Sequence, residues 1–325
     1  MDETKEKTKQ SRIAENIIAC LLAIGAILCV YTPNYLVFKY WAGYSAQITI
    51  VYWLFGFAFL VVKRPYLTMA SFICCAFLCL YLKSTTNPAL EPVRKTSEPI
   101  IKVAHFNASS NTESSILNAV RTCGADIISV QEVTPGWNKL LKDSVSDKYR
   151  FQCDIVTLDV YSLKILSRFP FASCDTFYCG NVPNLVVGLK NQATKNNLYI
   201  IGTYIAPPVF SSAYLQLQRQ LDSVASHIQR ANGPVITVGD YNIHSSSYEI
   251  QQFRRSANLN DSRRGYRPDL NNGYISLLDV PTDHIFYTNQ LNCVEFQTIS
   301  GVNSERLGII GSYQFNKDSL VLVGH

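Results

Sequence analysis

Three stretches without a single charge constrain this chain more than any other feature of it. Asn16–Phe38, Tyr40–Val62 and Pro65–Leu82 contain no Asp, Glu, Lys or Arg over 23, 23 and 18 residues. A helix rises 1.5 Å per residue, so about 20 apolar residues cross the hydrocarbon of a bilayer. Three such runs in succession exclude a simple soluble protein and predict three transmembrane helices within residues 16–82. A cleaved signal peptide fits less well, because no small-x-small site follows the first run and two more apolar runs come after it. Lys5, Lys7, Lys9 and Arg12 precede the first run, Lys63 and Arg64 separate the second from the third, and Lys39 alone lies between the first and second. The bias of basic residues towards the cytoplasm then puts the N-terminus inside and everything after Lys83 outside. Trp41, Tyr44, Tyr52 and Trp53 suit the membrane interface.

The net charge of +5 divides into +1 for residues 1–12, +2 for residues 13–82 and +2 for the rest. A domain so near neutrality does not bind long nucleic acid by charge alone. An aromatic content of 12%, with mean hydropathy near zero, argues against a disordered chain. Three regions follow: a tail and three-helix anchor (1–83), a Pro/Ser/Thr-rich linker (84–98) and one large domain (99–325). Five of the ten cysteines lie in the apolar runs, leaving an odd five in the domain. Cys174 and Cys179 are spaced to close a short loop in an oxidising compartment. No CxxC pair or Cys/His cluster suggests zinc.

Within the domain, short apolar runs alternate with amphipathic ones. Strands are expected at Ile100–Phe106, Asp126–Gln131, Tyr161–Leu166, Leu185–Leu189, Leu198–Tyr204, Val235–Val238, His284–Tyr287, Val294–Thr298 and Leu307–Tyr313. Helices are expected at Glu113–Cys123 and Ala213–Ala231, the latter carrying a Leu217, Leu221, Val224, Ile228 stripe stopped by Gly233-Pro234. Several strand pairs have no helix between them, which implies antiparallel pairing, and the helices between others imply a layered α/β sandwich.

Polar residues gather where these strands end. Glu132 terminates DIISVQ, where a carboxylate can hold a hard divalent cation at a sheet edge. Asn107 ends IKVAHF. In VITVGDYN, Asp240 and Asn242 follow an apolar strand with period two, suited to a nucleophilic water and a phosphate oxygen. Asp283 precedes the strand HIFYT. Each is also an ordinary turn or strand-end residue when taken singly.

Taken together, AHFN (104–107), DIISVQEV (126–133), LSRFP (166–170), GTYIAPP (202–208), VGDYN (238–242), DSRRG (261–265) and TDHIFYT (282–288) make the chain resemble the endonuclease/exonuclease/phosphatase family over residues 100–323. That family includes DNases, apurinic endonucleases, inositol polyphosphate 5-phosphatases and neutral sphingomyelinases, and the chain looks similar to bacterial members with three N-terminal spans. The resemblance implies a four-layered α/β sandwich of two mostly antiparallel sheets. It implies Mg²⁺ or Mn²⁺ on Glu132 with Asn107 nearby, water and phosphate handled by Asp240 and Asn242, and Asp283 orienting a catalytic His. Tyr204 stands where apurinic endonucleases have Tyr and many other members His.

The family's closing Ser-Asp-His is matched best by Ser304-Glu305-Arg306, 22 residues beyond Asp283. Glu305 keeps a carboxylate for a metal, but Arg306 replaces the His and accepts no proton at neutral pH. Loss of acid–base assistance is expected to lower the rate by ~10²–10⁴-fold. Of the chain's histidines, His284 is expected to turn away from Asp283 and His105 to be structural, while His244 is the surrogate best placed near the mouth. Arg263 and Arg264 are candidates for phosphate contact. Two functions follow. One is a membrane-tethered, metal-dependent phosphoesterase acting outside the cell membrane, with a lipid head group favoured over nucleic acid or nucleotide as the phosphodiester. The other is a degenerate relative that binds a phosphorylated ligand or protein without turnover.

Overall fold

The computed structural model describes residues 2–33, 35–88, 94–109, 112–190, 197–208, 210–263, 280–301 and 305–316. The chain divides into an N-terminal unit, Met1–Thr86, and a larger unit that begins at Asn87.

The N-terminal unit contains four helices: α1 (Asp2–Val30), α2 (Leu36–Gly43), α3 (Ser45–Val61) and α4 (Pro65–Thr85). Gln10–Val30 and Pro65–Thr85 are each long and apolar enough to cross a bilayer. The other apolar runs differ from expectation. The first helix ends at Val30, before Pro33, which disfavours helix in the residue preceding it. The second run is split at Tyr44 into α2 and α3, bent by 66°. Gly43 weakens the helix there, and two aromatics flanking the bend are tied to α1: Trp41 Nε1 donates to Gly25 O (3.0 Å) and the Tyr52 hydroxyl to Leu22 O (2.9 Å). At the other end of α1, Arg64 donates to Ser11 Oγ (2.8 Å) and Glu15 Oε1 (2.5 Å), so the bent pair brings the chain back to where α1 began.

The larger unit opens with β1 (Ile101–Asn107), α5 (Glu113–Thr122), β2 (Ile127–Gln131), α6 (Pro135–Val145), β3 (Phe151–Ile155) and β4 (Leu163–Ser167). It continues with β5 (Phe171–Cys179), β6 (Val182–Lys190), β7 (Asn197–Gly202), α7 (Ser211–Arg230), β8 (Val235–Asp240) and α8 (Tyr248–Ser256). It closes with β9 (Leu259–Asp261), β10 (Asp283–Thr288), β11 (Leu291–Ser300) and β12 (Arg306–Phe315). Two six-stranded sheets result, ordered β11-β12-β1-β2-β4-β3 and β5-β6-β7-β8-β10-β9. Each is antiparallel except at its middle pair: β1 runs parallel to β2, and β7 to β8. Parallel neighbours need a crossover, and α5 and α7 supply the two crossovers.

Burial explains the layers. Val103, Ile127, Ile165, Leu185, Ile200, Val238, Ile285 and Ile309 meet between the sheets. The other face of the first sheet packs Phe106, Ile128 and Val130 against Ile116, Val120, Trp137 and Leu141 of α5 and α6. The other face of the second packs Ile201, Val235 and Phe286 against Leu217, Leu221, Val224 and Phe253 of α7 and α8. The unit is the four-layered α/β sandwich expected, with mixed rather than purely antiparallel sheets.

Two features lay outside expectation. Cys174 on β5 is bonded to Cys153 on β3 rather than to Cys179, with Cα atoms 6.2 Å apart. Both strands are sheet edges, so the disulfide staples one edge of each sheet to the other, while Cys179 is a free thiol. Asn87, Thr96 and Glu98, in the segment expected to be a linker, also bond to the rest of this unit. Asn87 donates to Asp261 O (2.6 Å) and accepts from Asp261 N (2.9 Å) and Arg254 Nη2 (2.6 Å). Gln314 Nε2 donates to the carbonyls of Thr96 (3.1 Å) and Glu98 (2.6 Å).

Candidate active site

The C-terminal ends of the two parallel pairs converge. Asn107 ends β1 and Glu132 follows β2; Tyr204 follows β7 and Asp240 ends β8. Gln131, the buried last residue of β2, crosses between the sheets: its Oε1 accepts from Asp240 N (2.8 Å) and its Nε2 donates to Thr203 O. That crossing requires Gly239, where a Cβ would collide with the Thr203 carbonyl and the Gln131 amide.

Glu132 and Asn242 both adopt left-handed backbone, φ 55° and 53°. This turns the chain sharply at the strand ends, at a cost that non-glycine residues bear when the surroundings hold them. Glu132 N is held by Ser162 O (2.9 Å), and Asn242 N by Asp240 Oδ1 (2.9 Å). Asn107 Nδ2 donates to Glu132 Oε1 (2.8 Å), while its Oδ1 accepts from Ser109 N and Oγ (3.0 Å each). The opposite amide orientation would set oxygen against carboxylate and N–H against N–H. Asn107 therefore aims the Glu132 carboxylate and turns its own oxygen away from it.

Tyr204 lies almost wholly buried beside this pair, its ring edge-on to Tyr161 at 5.7 Å. Burial, reinforced by the charges of Glu132 and Asp240, pushes its hydroxyl up to about 12. It therefore remains a hydrogen-bond donor at every working pH. Asn242 lies against that hydroxyl and donates its Nδ2 to Ile205 O (2.8 Å).

Asp240 and Asp283 face each other across the β8–β10 ladder, and their environments push them apart. Burial raises the Asp240 carboxyl, and the charge of Asp283 raises it further. Burial acts on Asp283 in the same sense, but His105 and Arg306 outweigh it and hold Asp283 well below the usual carboxylate range. Arg306 Nη2 donates to Asp283 Oδ2 (2.7 Å), and His105 Nε2 stands 3.6 Å from Oδ1. Two carboxylates separated in this way are suited to different tasks, one exchanging a proton and the other staying charged.

The other sequence candidates have the following partners. Glu305 accepts from Ser115 Oγ on α5 at 3.5 Å. His244 Nδ1 meets Ser246 Oγ at 2.8 Å. Arg263 lays its guanidinium over the Phe296 ring, 5.0 Å from the centroid. Arg264 falls outside the described residues. His284 is buried away from Asp283, with Nε2 on Ile243 O (2.9 Å) and Nδ1 near Ser245 Oγ (3.3 Å). His105, expected to be structural, joins the site. Alternation along β1 places it on the same face as Asn107, and that period was the available signal. Gln131 was equally visible as an amide ending an apolar strand.

Among the described residues no three His, Cys, Asp or Glu side chains form a metal cage. An aimed carboxylate, Glu132, is nevertheless the donor that a hard cation takes when water and substrate phosphate complete its shell. The residues present fit that mode of binding and not an all-protein cage.

Residues 104–304 match the model of the endonuclease/exonuclease/phosphatase family. No curated protein matches the chain. Solved structures resemble it at the level of fold. One is an endonuclease/exonuclease/phosphatase from Bacteroides vulgatus, with 14% identity and TM-score 0.54 over 67% of this chain and 100% of that one. Another, from Beutenbergia cavernae, has 16% identity and TM-score 0.53 over 67% and 72%. A third is D. rerio TDP2 complexed with a single strand DNA product, with 15% identity and TM-score 0.52 over 67% and 100%.

Proposed function

Because the chain belongs to the endonuclease/exonuclease/phosphatase family, whose members are for the most part metal-dependent hydrolases of phosphodiester bonds, we propose that it is a membrane-tethered phosphoesterase working outside the cell membrane. The observation that carries this reading is the gathering of Glu132, Asp240 and Asn242 around the Tyr204 hydroxyl, with Asp283 opposite Asp240.

Each group has a task. Glu132, aimed by Asn107, would hold Mg²⁺ or Mn²⁺, which would polarise a phosphoryl oxygen and offset the charge that develops on it. Asp240 receives the proton of the attacking water. Its raised carboxyl makes it a better base than an exposed aspartate. Tyr204 and the Asn242 amide donate to non-bridging phosphate oxygens. Asp283 stays ionised and fixes the Arg306 guanidinium, which offsets negative charge in the site.

The location draws on three observations. Two helices have the length and composition of spans. Arg64 returns to Ser11 and Glu15, so α4 leaves from the end where α1 began and runs towards the other. A disulfide joins Cys153 and Cys174, and disulfides persist in oxidising compartments. The Arg64 contacts favour the bent pair as a third crossing, and the disulfide favours a catalytic unit outside. A tether of this kind favours phosphodiesters of lipid head groups, with nucleotides and nucleic acid as competitors.

The test is hydrolysis of a generic aryl phosphodiester by the full chain in detergent, with Mg²⁺ or Mn²⁺, beside Asp240→Ala. A loss of roughly 10²-fold or more in the variant is expected. Equal rates in the two proteins would remove Asp240 from the mechanism. The guanidinium at Arg306 favours a second reading, a ligand-binding relative without turnover. Its signature would be metal and phosphate binding with no hydrolysis under any metal.

A further inference from the structure

Exposed apolar side chains are unevenly spread over the larger unit. Among its described residues, Leu158, Val160, Tyr178, Phe210, Leu215 and Tyr248 stand out from the surface, from 46% exposed at Val160 to 97% at Leu158. Topology places all six at the end that carries the site. Gln131 pairs with Leu163, so the loop bearing Leu158 and Val160 enters β4 at that end. Leu185 pairs with Gly202, so the turn beside Tyr178 enters β6 there too. Phe210 and Leu215 follow β7, and Tyr248 follows β8 and opens α8. Ile100, before β1, and Phe169, after β4, are the exposed apolar residues of the opposite end among those described. Single exposed apolar residues are ordinary, but a group gathered at one end marks a contact surface. This rim is continuous with the site. Asp159 Oδ1 accepts from Thr157 Oγ1 (2.6 Å) and Tyr161 N (2.9 Å), and Ser162 Oγ accepts from Thr157 N (2.9 Å), which fixes the loop that presents Leu158. The same loop sets Tyr161 against Tyr204 and gives its Ser162 carbonyl to Glu132 N.

The path of the chain points to what covers the rim. Thr86 alone separates α4, long and apolar enough for a span, from Asn87. Asn87 is bonded to both backbone groups of Asp261, which ends the edge strand β9 and pairs with Phe286. Phe286 is three residues, about 10 Å, along β10 from Asp283. The Asp261 carboxylate in turn accepts from Ser245 Oγ (2.8 Å), in the segment that follows Asn242. The tether therefore enters the unit near the rim rather than at the far end. We propose that the rim rests on the bilayer that holds the anchor, with lipid as its occupant, so that a phosphodiester head group reaches Glu132 and Asp240 without leaving the membrane surface. Tyrosine rings such as those of Tyr178 and Tyr248 settle at the boundary between lipid and water, and Leu158 and Phe210 reach the acyl chains. The substrate in this proposal rests on the hydrolase reading above, whereas the surface rests on the rim and the tether.

The experiment uses the full chain in phosphatidylcholine nanodiscs, plain or brominated on the acyl chains, with Mn²⁺. Bromine quenches indole fluorescence on contact. Phe210→Trp puts an indole in the rim and Phe169→Trp puts one at the opposite end, and the wild type supplies the background of three native tryptophans. The added emission of Phe210→Trp should be quenched and that of Phe169→Trp untouched. Leu158→Ser gives a second readout. Its kcat/KM on a bilayer phospholipid, divided by that on a short-chain soluble diester, should fall about tenfold, because one lipid-buried leucine is lost. The ratio divides out any general loss of activity. Equal quenching at the two positions, or an unchanged ratio, overturns the inference. No quenching at Phe210 also overturns it and leaves the rim to a protein partner. Hydrolysis of neither substrate removes the hydrolase reading, and the quenching, which needs no turnover, still decides the surface.

Discussion

At the scale of single residues, the site depends on how two aspartates are made unlike. The Asp240 carboxyl is raised above its ordinary 3.8 by burial and by Asp283. As the proposed base it must be ionised, so activity should fall as pH drops through this raised value. Asp283→Asn removes a charge that raises Asp240, so the acid limb of the kcat/KM profile should move to lower pH as the rate itself declines. An unmoved limb, or one moved to higher pH, would mean that Asp240 is not the group observed. The linkage to stability has opposite signs at the two positions. The depressed Asp283 contributes stability above its unfolded value that is lost as acid protonates it, whereas the raised Asp240 favours the fold most at low pH, an advantage lost as pH rises through its folded value. Gly239 gives a steric prediction. In Gly239→Ala the new methyl meets a backbone carbonyl that cannot step aside, so thermal melts should show a loss of about 1–3 kcal/mol and a slower enzyme. Wild-type stability in this variant would show that the Gln131 crossing is looser than described. Glu132, Asp240, Asn242 and Asp283 stand out as a set at strand ends, together with the family resemblance, and not singly. The partnership of His105 with Asp283 leaves no such signal, because it spans β1 and β10, which lie in different sheets and meet only across the core.

At the scale of elements, legibility followed hydrophobic pattern. Central strands such as β2 and β8 are continuous apolar runs and were found within a residue or two. Edge strand β5 alternates between half-buried and exposed residues and carries Asp, Ser and Thr, so it left little signal. Helix α6 was readable yet unread: Thr134 caps it by accepting from Trp137 N, Pro135 opens it, and Trp137, Leu141 and Val145 bury one face. The bend at Tyr44 is invisible to hydropathy, since both of its arms are apolar. The staple between β3 and β5 has a measurable worth. Cys153→Ser should cost about 2–4 kcal/mol in oxidising buffer and nothing further under reductant, with Cys174→Ser matching it. Equal melting of oxidised wild type and variant would show that the bond does not support the fold.

For the molecule as a whole, the decisive quantity is the parity of membrane crossings. Three place the catalytic unit opposite the N-terminus; two place both on one side. Reporters fused at Met1 and His325 of the full chain should therefore respond in opposite compartments, and a membrane-impermeant thiol reagent should reach Cys179 only from outside. Both termini reporting from the cytoplasm would remove the extracytoplasmic reading. The charge pattern alone pointed to this arrangement, through Lys63 and Arg64, but it could not show that Arg64 lies against Glu15.

The two parallel pairs, β1 with β2 and β7 with β8, are the middle strands of their sheets, and four of the site residues hang from their ends. Amide hydrogens in such positions exchange with solvent only when the whole sandwich opens, whereas those of β9 and β11 exchange through fraying. Slow exchange and the proposed catalysis are thus tied to the same strands. A preparation titrated with urea should keep its full turnover while its edges are already labelling with deuterium, and lose it only when the innermost amides begin to exchange.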